Sequence, residues 1–169
     1  KIKQTQLTAI NRIADIVYST LDINTVAERA VKAMMDYSTS TAVAFFMLNN
    51  KKRELDLLYS EGFTENTLKK AAILPLDGSL TGRTVKEKLV LFSTDIASDQ
   101  RVENGVKDAL MQENMVSIYS VPILARDEVL GAMNLIHKTR FTIDELEKET
   151  LMSIGKTIGL AVSNAMQVA

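Results

Sequence analysis

The apolar residues of this chain keep a helical period for two stretches, lose it, and regain it at the end. Between residues 4 and 21 they fall at Leu7, Ile10, Ala14, Val17 and Leu21, steps of three and four that line one side of a helix. A polar break at 22–24 follows, after which Val26, Ala27, Ala30, Val31, Met34 and Tyr37 resume the spacing. Thr25 and Glu28 stand at capping-box separation, so a second helix is predicted to run to about Ser38. Residues 41–48 (TAVAFFML) then carry β-branched, aromatic and apolar side chains on both alternating sides, as a strand covered on both faces does. Asn49, Asn50, Lys51 and Lys52 supply turn chemistry, and Leu55, Leu57 and Tyr59 alternate beyond them, which predicts a hairpin.

Polar and apolar positions mix less regularly from 64 to 116. The pattern predicts a short helix over 64–70, a short strand over 72–76 disturbed by Pro75, and a helix over 78–88. A brief strand at 90–93, a loop over 94–104 (TDIASDQRVEN) and a short amphipathic helix carrying Val106, Leu110 and Met111 follow. Regularity returns with 117–124 (SIYSVPIL), a turn at Arg126 and Asp127, and 129–138 (VLGAMNLIHK), a second hairpin in which Pro122 breaks the hydrogen bonding locally. Thr142 and Glu145 make a capping box, with Phe141 and Leu146 placed for a hydrophobic staple. From there Leu151, Ile154, Ile158, Ala161, Ala165 and Val168 run at helical steps, while Met152, Leu160, Val162 and Met166 widen the arc beyond what one sheet covers. This order predicts an α+β domain: an antiparallel sheet of five or six strands between the terminal helices and an irregular layer of helices and loops. Residues 1–169 read as one domain, with 1–21 and 142–169 as flanking helices.

Length agrees, since 169 residues match the roughly 100–200 of a single domain. Twenty Lys and Arg against twenty-one Asp and Glu leave a formal charge of −1, too little field to gather phosphates, so nucleic acid is not an expected partner. The absence of cysteine removes a disulfide frame, a thiol nucleophile and Cys-based metal sites, and the lone His137 removes multi-His ones. Neither a metal nor a cofactor is expected. The apolar runs fall far short of the roughly 18 residues of a membrane span. The chain opens at Lys1 without a signal-peptide pattern and closes within a helical one, and the expectation is a region excised from a longer protein.

Two segments carry a family resemblance. One is SVPILARDEVLGAMNLIHK from Ser120, followed by Phe141, Thr142 and a helix ending in Ala161 and Asn164-Ala165; the other is LDGSLTGRTVKEK from Leu76, followed by a strand and Asp95. In this order the chain resembles a GAF domain, the small-molecule sensory module of bacterial kinases, cyclases, transcription activators and cyclic nucleotide phosphodiesterases. The resemblance implies a GAF-like, PAS-related fold in a cytoplasmic module, whose parent protein is free or membrane-anchored. It further implies a fused output domain, such as a kinase, cyclase or transcription activator, in two-component and related signal transduction.

Several family chemistries lack their residues here. The cyclic-nucleotide relatives resemble this chain at Phe141 but carry an Asn-Lys pair where His137 and Lys138 stand, with their Asp-Glu spaced differently from Asp144 and Glu145. Bilin-binding relatives use a Cys, a Pro and a His that residues 93–98 (STDIAS) do not supply. A single strand histidine such as His137 is more often structural than a haem ligand. Some GAF-like proteins reduce free methionine sulfoxide, which needs thiols this chain does not have, so no catalytic residue and no enzyme activity is expected. The Gly78 to Gly82 turn at a helix start could hold an anion or simply shape the turn.

What remains is a pocket between the sheet and the irregular middle. By resemblance its lining comprises Leu76, Leu80, Phe92, Asp95, Ile96, Val106, Leu110, Ser117, Tyr119, Val121, Met133 and Asn134; alternatively Met111, Met115 and their neighbours fill it. The stripes of the first and last helices, Leu7, Ile10, Val17, Leu151, Ile154, Ile158, Val162 and Ala165, suggest a homodimer through the terminal helices as well as burial on the sheet. Two functions stay open: a sensor that binds an unidentified small molecule and passes the signal to its output domain, or a ligand-free dimerisation and relay module.

Overall fold

The period changes in the sequence become layers in the molecule. A computed structural model describes residues 3–18 and 22–168. The elements are α1 (Gln4–Val17), α2 (Ile23–Ser38), β1 (Ala42–Asn49), β2 (Glu54–Glu61), α3 (Glu65–Ala71), β3 (Ile73–Pro75), α4 (Leu80–Glu87), β4 (Leu91–Ser93), α5 (Asn104–Gln112), β5 (Ser117–Ala125), β6 (Glu128–His137) and α6 (Glu145–Val168), with a 3-10 turn at Ile96–Ser98. The strands make one six-stranded sheet in the order β3-β2-β1-β6-β5-β4, every neighbour antiparallel. Two hairpins thus join at the centre through β1 and β6, and each border of the sheet is a strand of three residues.

Alternation along the strands divides the interior in two. Val43, Phe45, Tyr119, Val121, Met133 and Leu135 face α1, α2 and α6, where they share one core with Val17, Met34, Leu151 and Ile158. Ala42, Ala44, Phe46, Ile118, Ala132 and Ile136 face the other way, into smaller clusters with Leu74, Leu80, Ile96, Val102 and Leu110. The terminal helices and the middle segment therefore cover opposite faces, as two-sided apolar strands require.

Two helix starts differ from expectation. α6 begins at Glu145, where Asp144 Oδ1 accepts the Glu147 N–H at 2.8 Å; Asp caps at least as well as Thr, so it displaces Thr142 from the role. Similarly, α2 takes Asp22 as its N-cap, ahead of Thr25. Leu21 and the side chain of Val168 lie outside the described residues.

Most of the residues expected at a helical interface are used inside the protomer. Val17, Leu151, Ile154, Ile158, Val162 and Ala165 are all buried within the protomer, Ile10 packs against the same core, and of the set only Leu7 is exposed, at 44%. The physical reason is that α6 packs against β5, α1 and α2, which together cover most of its wide apolar arc and leave Leu160 and Met166 exposed. Contact with the sheet is close: a Cβ on Gly155 would stand 2.1 Å from the Pro122 carbonyl oxygen, and one on Gly159 1.9 Å from that of Leu124. Glycine at these two helical positions lets α6 lie directly on the β5 backbone. No helix among the described residues is long and apolar enough to cross a membrane.

Candidate functional site

Beneath α3, α4 and α5 the inward side chains leave a cavity of about 40 Å³, lined by residues that include Ala44, Phe46, Leu57, Phe63, Leu80, Val106, Leu110 and Ile136. That holds a few waters, against the roughly 300–1,000 Å³ of ordinary ligand pockets. Its polar wall is built from three elements. Asn134 Oδ1 accepts the Ser120 hydroxyl at 2.8 Å, and Asn134 Nδ2 donates to Thr81 Oγ1 at 2.8 Å. The carboxamide is thereby fixed, with one N–H and one lone pair left over by its donor and acceptor inventory.

The roof is held by carboxylates. Glu103 caps α5, accepting the Gly105 and Val106 N–H groups at 2.7 and 3.1 Å. At the other end of α5, Glu113 accepts the Thr64 hydroxyl at 3.1 Å and the Thr67 hydroxyl, so it clasps α5 to the start of α3. The 94–104 segment is tied down separately. Asp99 takes Arg101 Nε at 3.0 Å and Nη2 at 2.7 Å, while the same Nη2 reaches the Phe92 carbonyl at 2.8 Å. The Arg101 guanidinium holds the Asp99 carboxyl well below the usual carboxylate range.

Of the expected lining, the structure brings Leu80, Val106, Leu110 and Asn134 together at the cavity. Leu76 and Ile96 are buried in the clusters beside it. The others lie elsewhere. Tyr119, Val121 and Met133 point to the helix-covered side, as does Ser117, whose register parity is theirs and whose hydroxyl donates to the Thr139 carbonyl. Asp95 and Phe92 border a shallow surface cleft, Asp95 accepting from Ser98 and Arg140. Adjacent strand residues face opposite ways, so Met133 and Asn134 could not both have lined one pocket. Sequence reasoning missed Phe63, Thr67, Leu68, Val102 and Glu103; only the two-sided apolar run of β1 pointed toward Ala44 and Phe46.

Other candidate chemistry is engaged within the fold, although His137 Nδ1 has no hydrogen-bond partner among the described residues. The Gly82 N–H at the start of α4 already donates to Ser79 Oγ at 2.9 Å, which occupies the anion-binding position. His137 is buried on the helix side, stacked on Phe141 at 4.6 Å with its Nε2 3.4 Å from Ser40 Oγ. No group of three metal-ligating side chains occurs among the described residues.

The family model for the GAF domain matches residues 20–163. The chain belongs to the GAF domain family. Solved GAF structures share its fold: that from an Acinetobacter phosphoenolpyruvate-protein phosphotransferase superposes with a TM-score of 0.81 at 16% identity, covering 99% of this chain and 98% of that one. The GAF domain of the Coxiella burnetii phosphoenolpyruvate-protein phosphotransferase gives 0.83 at 15% identity, over 96% and 95%. Free methionine-R-sulfoxide reductase from Neisseria meningitidis, in complex with its substrate, gives 0.79 at 13% identity, over 100% and 96%. The same fold thus occurs in GAF domains of phosphotransferases and in a reductase, and identities this low carry the fold alone. A search of curated protein sequences gives no match.

Proposed function

We propose that this GAF domain is a non-catalytic sensory module, in which a small molecule enters between the sheet and the α3–α5 roof and biases the packing of the terminal helices toward a fused output domain. The observation that carries this reading is the fixed Asn134 carboxamide, held by Ser120 and Thr81 against a mostly apolar cavity. Few convergent polar groups on an apolar wall are what small-molecule recognition uses. Admitting a ligand requires the roof to lift, and the Glu113 clasp makes α3 and α5 lift together. Coupling of about 1–3 kcal/mol then suffices to switch an output. A chain without cysteine has no thiol with which to reduce a sulfoxide.

A ligand-free relay is the second reading, favoured by the smallness of the cavity. In either case a homodimer through the terminal helices has Leu7, Leu160 and Met166 available, each at least 40% exposed.

The test is an NMR and thermal-shift screen with nucleotides, amino acids and aromatic acids. The sensor reading expects a stabilising compound whose shifts center on Asn134, Thr81 and Leu110, and whose effect Asn134→Leu removes. A complete blank, with Val106→Phe filling the cavity at no cost in stability, would establish the relay instead.

A further inference from the structure

On the opposite side of the sheet, the end of α2, residues 141–144 and the first turns of α6 border a cleft of about 380 Å³. Three aromatic side chains line it, Tyr37, Tyr119 and Phe141, and its charged lining residues are Asp144 and Glu147, with no Lys or Arg among the described ones. The rings are fixed in place: Phe141 stacks on His137 and meets Tyr119 edge-on at 5.4 Å. Tyr37 donates its hydroxyl to Glu147 Oε1 at 3.0 Å.

Two buried polar atoms beside this cleft, His137 Nδ1 and the Tyr119 hydroxyl, lack a hydrogen-bond partner among the described residues, and of the two residues it is Tyr119 that lines the cleft. Its side chain is 3% exposed, and its hydroxyl has no hydrogen-bond partner among the described residues. A buried hydroxyl without a partner is costly and calls for an explanation. Burial and the nearby Glu147 charge both push this phenol's pKa up, so it remains an O–H donor. The amides at the start of α6 would otherwise draw an anion, but the Glu147 N–H is already taken by Asp144. Ring faces with a carboxylate suit a cation instead.

We propose that this cleft binds a small organic ammonium ion, its charge against the rings of Tyr37, Tyr119 and Phe141 and the Glu147 carboxylate, with the Tyr119 hydroxyl donating to an oxygen of the ligand. Such a ligand would bridge α2 to α6 and so act on the closing helix directly. The site stands apart from the roofed cavity and does not depend on it.

Choline, tetramethylammonium and the neutral choline isostere 3,3-dimethylbutan-1-ol are the probes, titrated by calorimetry and NMR. Choline should saturate, shift the Tyr37, Tyr119 and Phe141 ring resonances, and bind at least about tenfold more tightly than the isostere. Glu147→Gln keeps an acceptor for Tyr37 and should weaken choline several-fold without loss of folding. Tyr119→Phe should melt no lower than the parent and weaken choline more than tetramethylammonium, which has no oxygen. Absence of saturation, equal affinity for the isostere, shifts at Asn134 and Thr81 instead, indifference to Glu147→Gln, or a lower melting temperature for Tyr119→Phe would each overturn the proposal.

Discussion

The two faces of the sheet are made by the same strands, residue by residue in alternation, and yet they are closed by different means. On one face three helices of 14, 16 and 24 residues pack into a single continuous core. On the other, helices of seven, eight and nine residues divide the interior into separate clusters and leave a cavity between them. Long helices bury their stripe along many turns, so displacing one breaks many contacts at once. Short helices held by single carboxylate clasps can move for much less. The contrast separates a face suited to carrying strain from one suited to opening, and local stability should follow it.

The sharpest way to break the comparison is a charge on the helix side. Ile158→Glu places a carboxylate in the fully buried core beneath α6 and should abolish folding, a loss above about 4 kcal/mol, seen as loss of the cooperative denaturation transition; a folded monomer would show that α6 is not core. A matched pair comes next. Leu151→Ala should cost about 4 kcal/mol in urea denaturation and Leu110→Ala about 2, because the site beside the cavity collapses or hydrates more easily. Equal costs would erase the distinction between the faces. Gly159→Ala forces α6 off the Leu124 carbonyl and should cost about 2 kcal/mol as an overpacking change, whereas exposed Gly78, with nothing near its Cβ position, tests the backbone alone.

The smallest effect is a pH dependence. Burial lowers the His137 pKa from its ordinary value, so on acidification the unfolded chain takes up the proton first. The stabilisation is complete above about pH 6.5 and is lost as pH falls below it. Urea midpoints should fall between pH 7.5 and 5.5 in the parent, and the slope should flatten in His137→Phe. A slope of the same size in the variant would mean that other groups set it.

Much of the fold was legible because period is a local signal. The end of α2 at Ser38, both hairpins and the irregular middle all follow from spacing and turn residues. Which way a strand residue points was not legible, for a physical reason. β5 is buried at every position, so its sequence has no polar side to mark, and the parity that placed Tyr119 and Val121 under the roof had nothing to correct it. The α6 stripe is ambiguous in a related way: hydrophobic arc reports how much surface is covered, not whether the cover belongs to the same molecule. The aromatic cleft was hidden because Phe141 and Tyr37 each have a routine local explanation, as staple and as helix face. Their meeting depends on residues more than 100 positions apart, as the Tyr37–Glu147 hydrogen bond shows.

The three-residue borders of the sheet limit how copies of this domain can grow together. A neighbouring chain adding itself at β3 would find few rungs to bond, with Pro75 closing the row, and at β4 it would find as few. Fibre-like stacking is thus discouraged at both rims, and the strand edges give two such modules little purchase on one another.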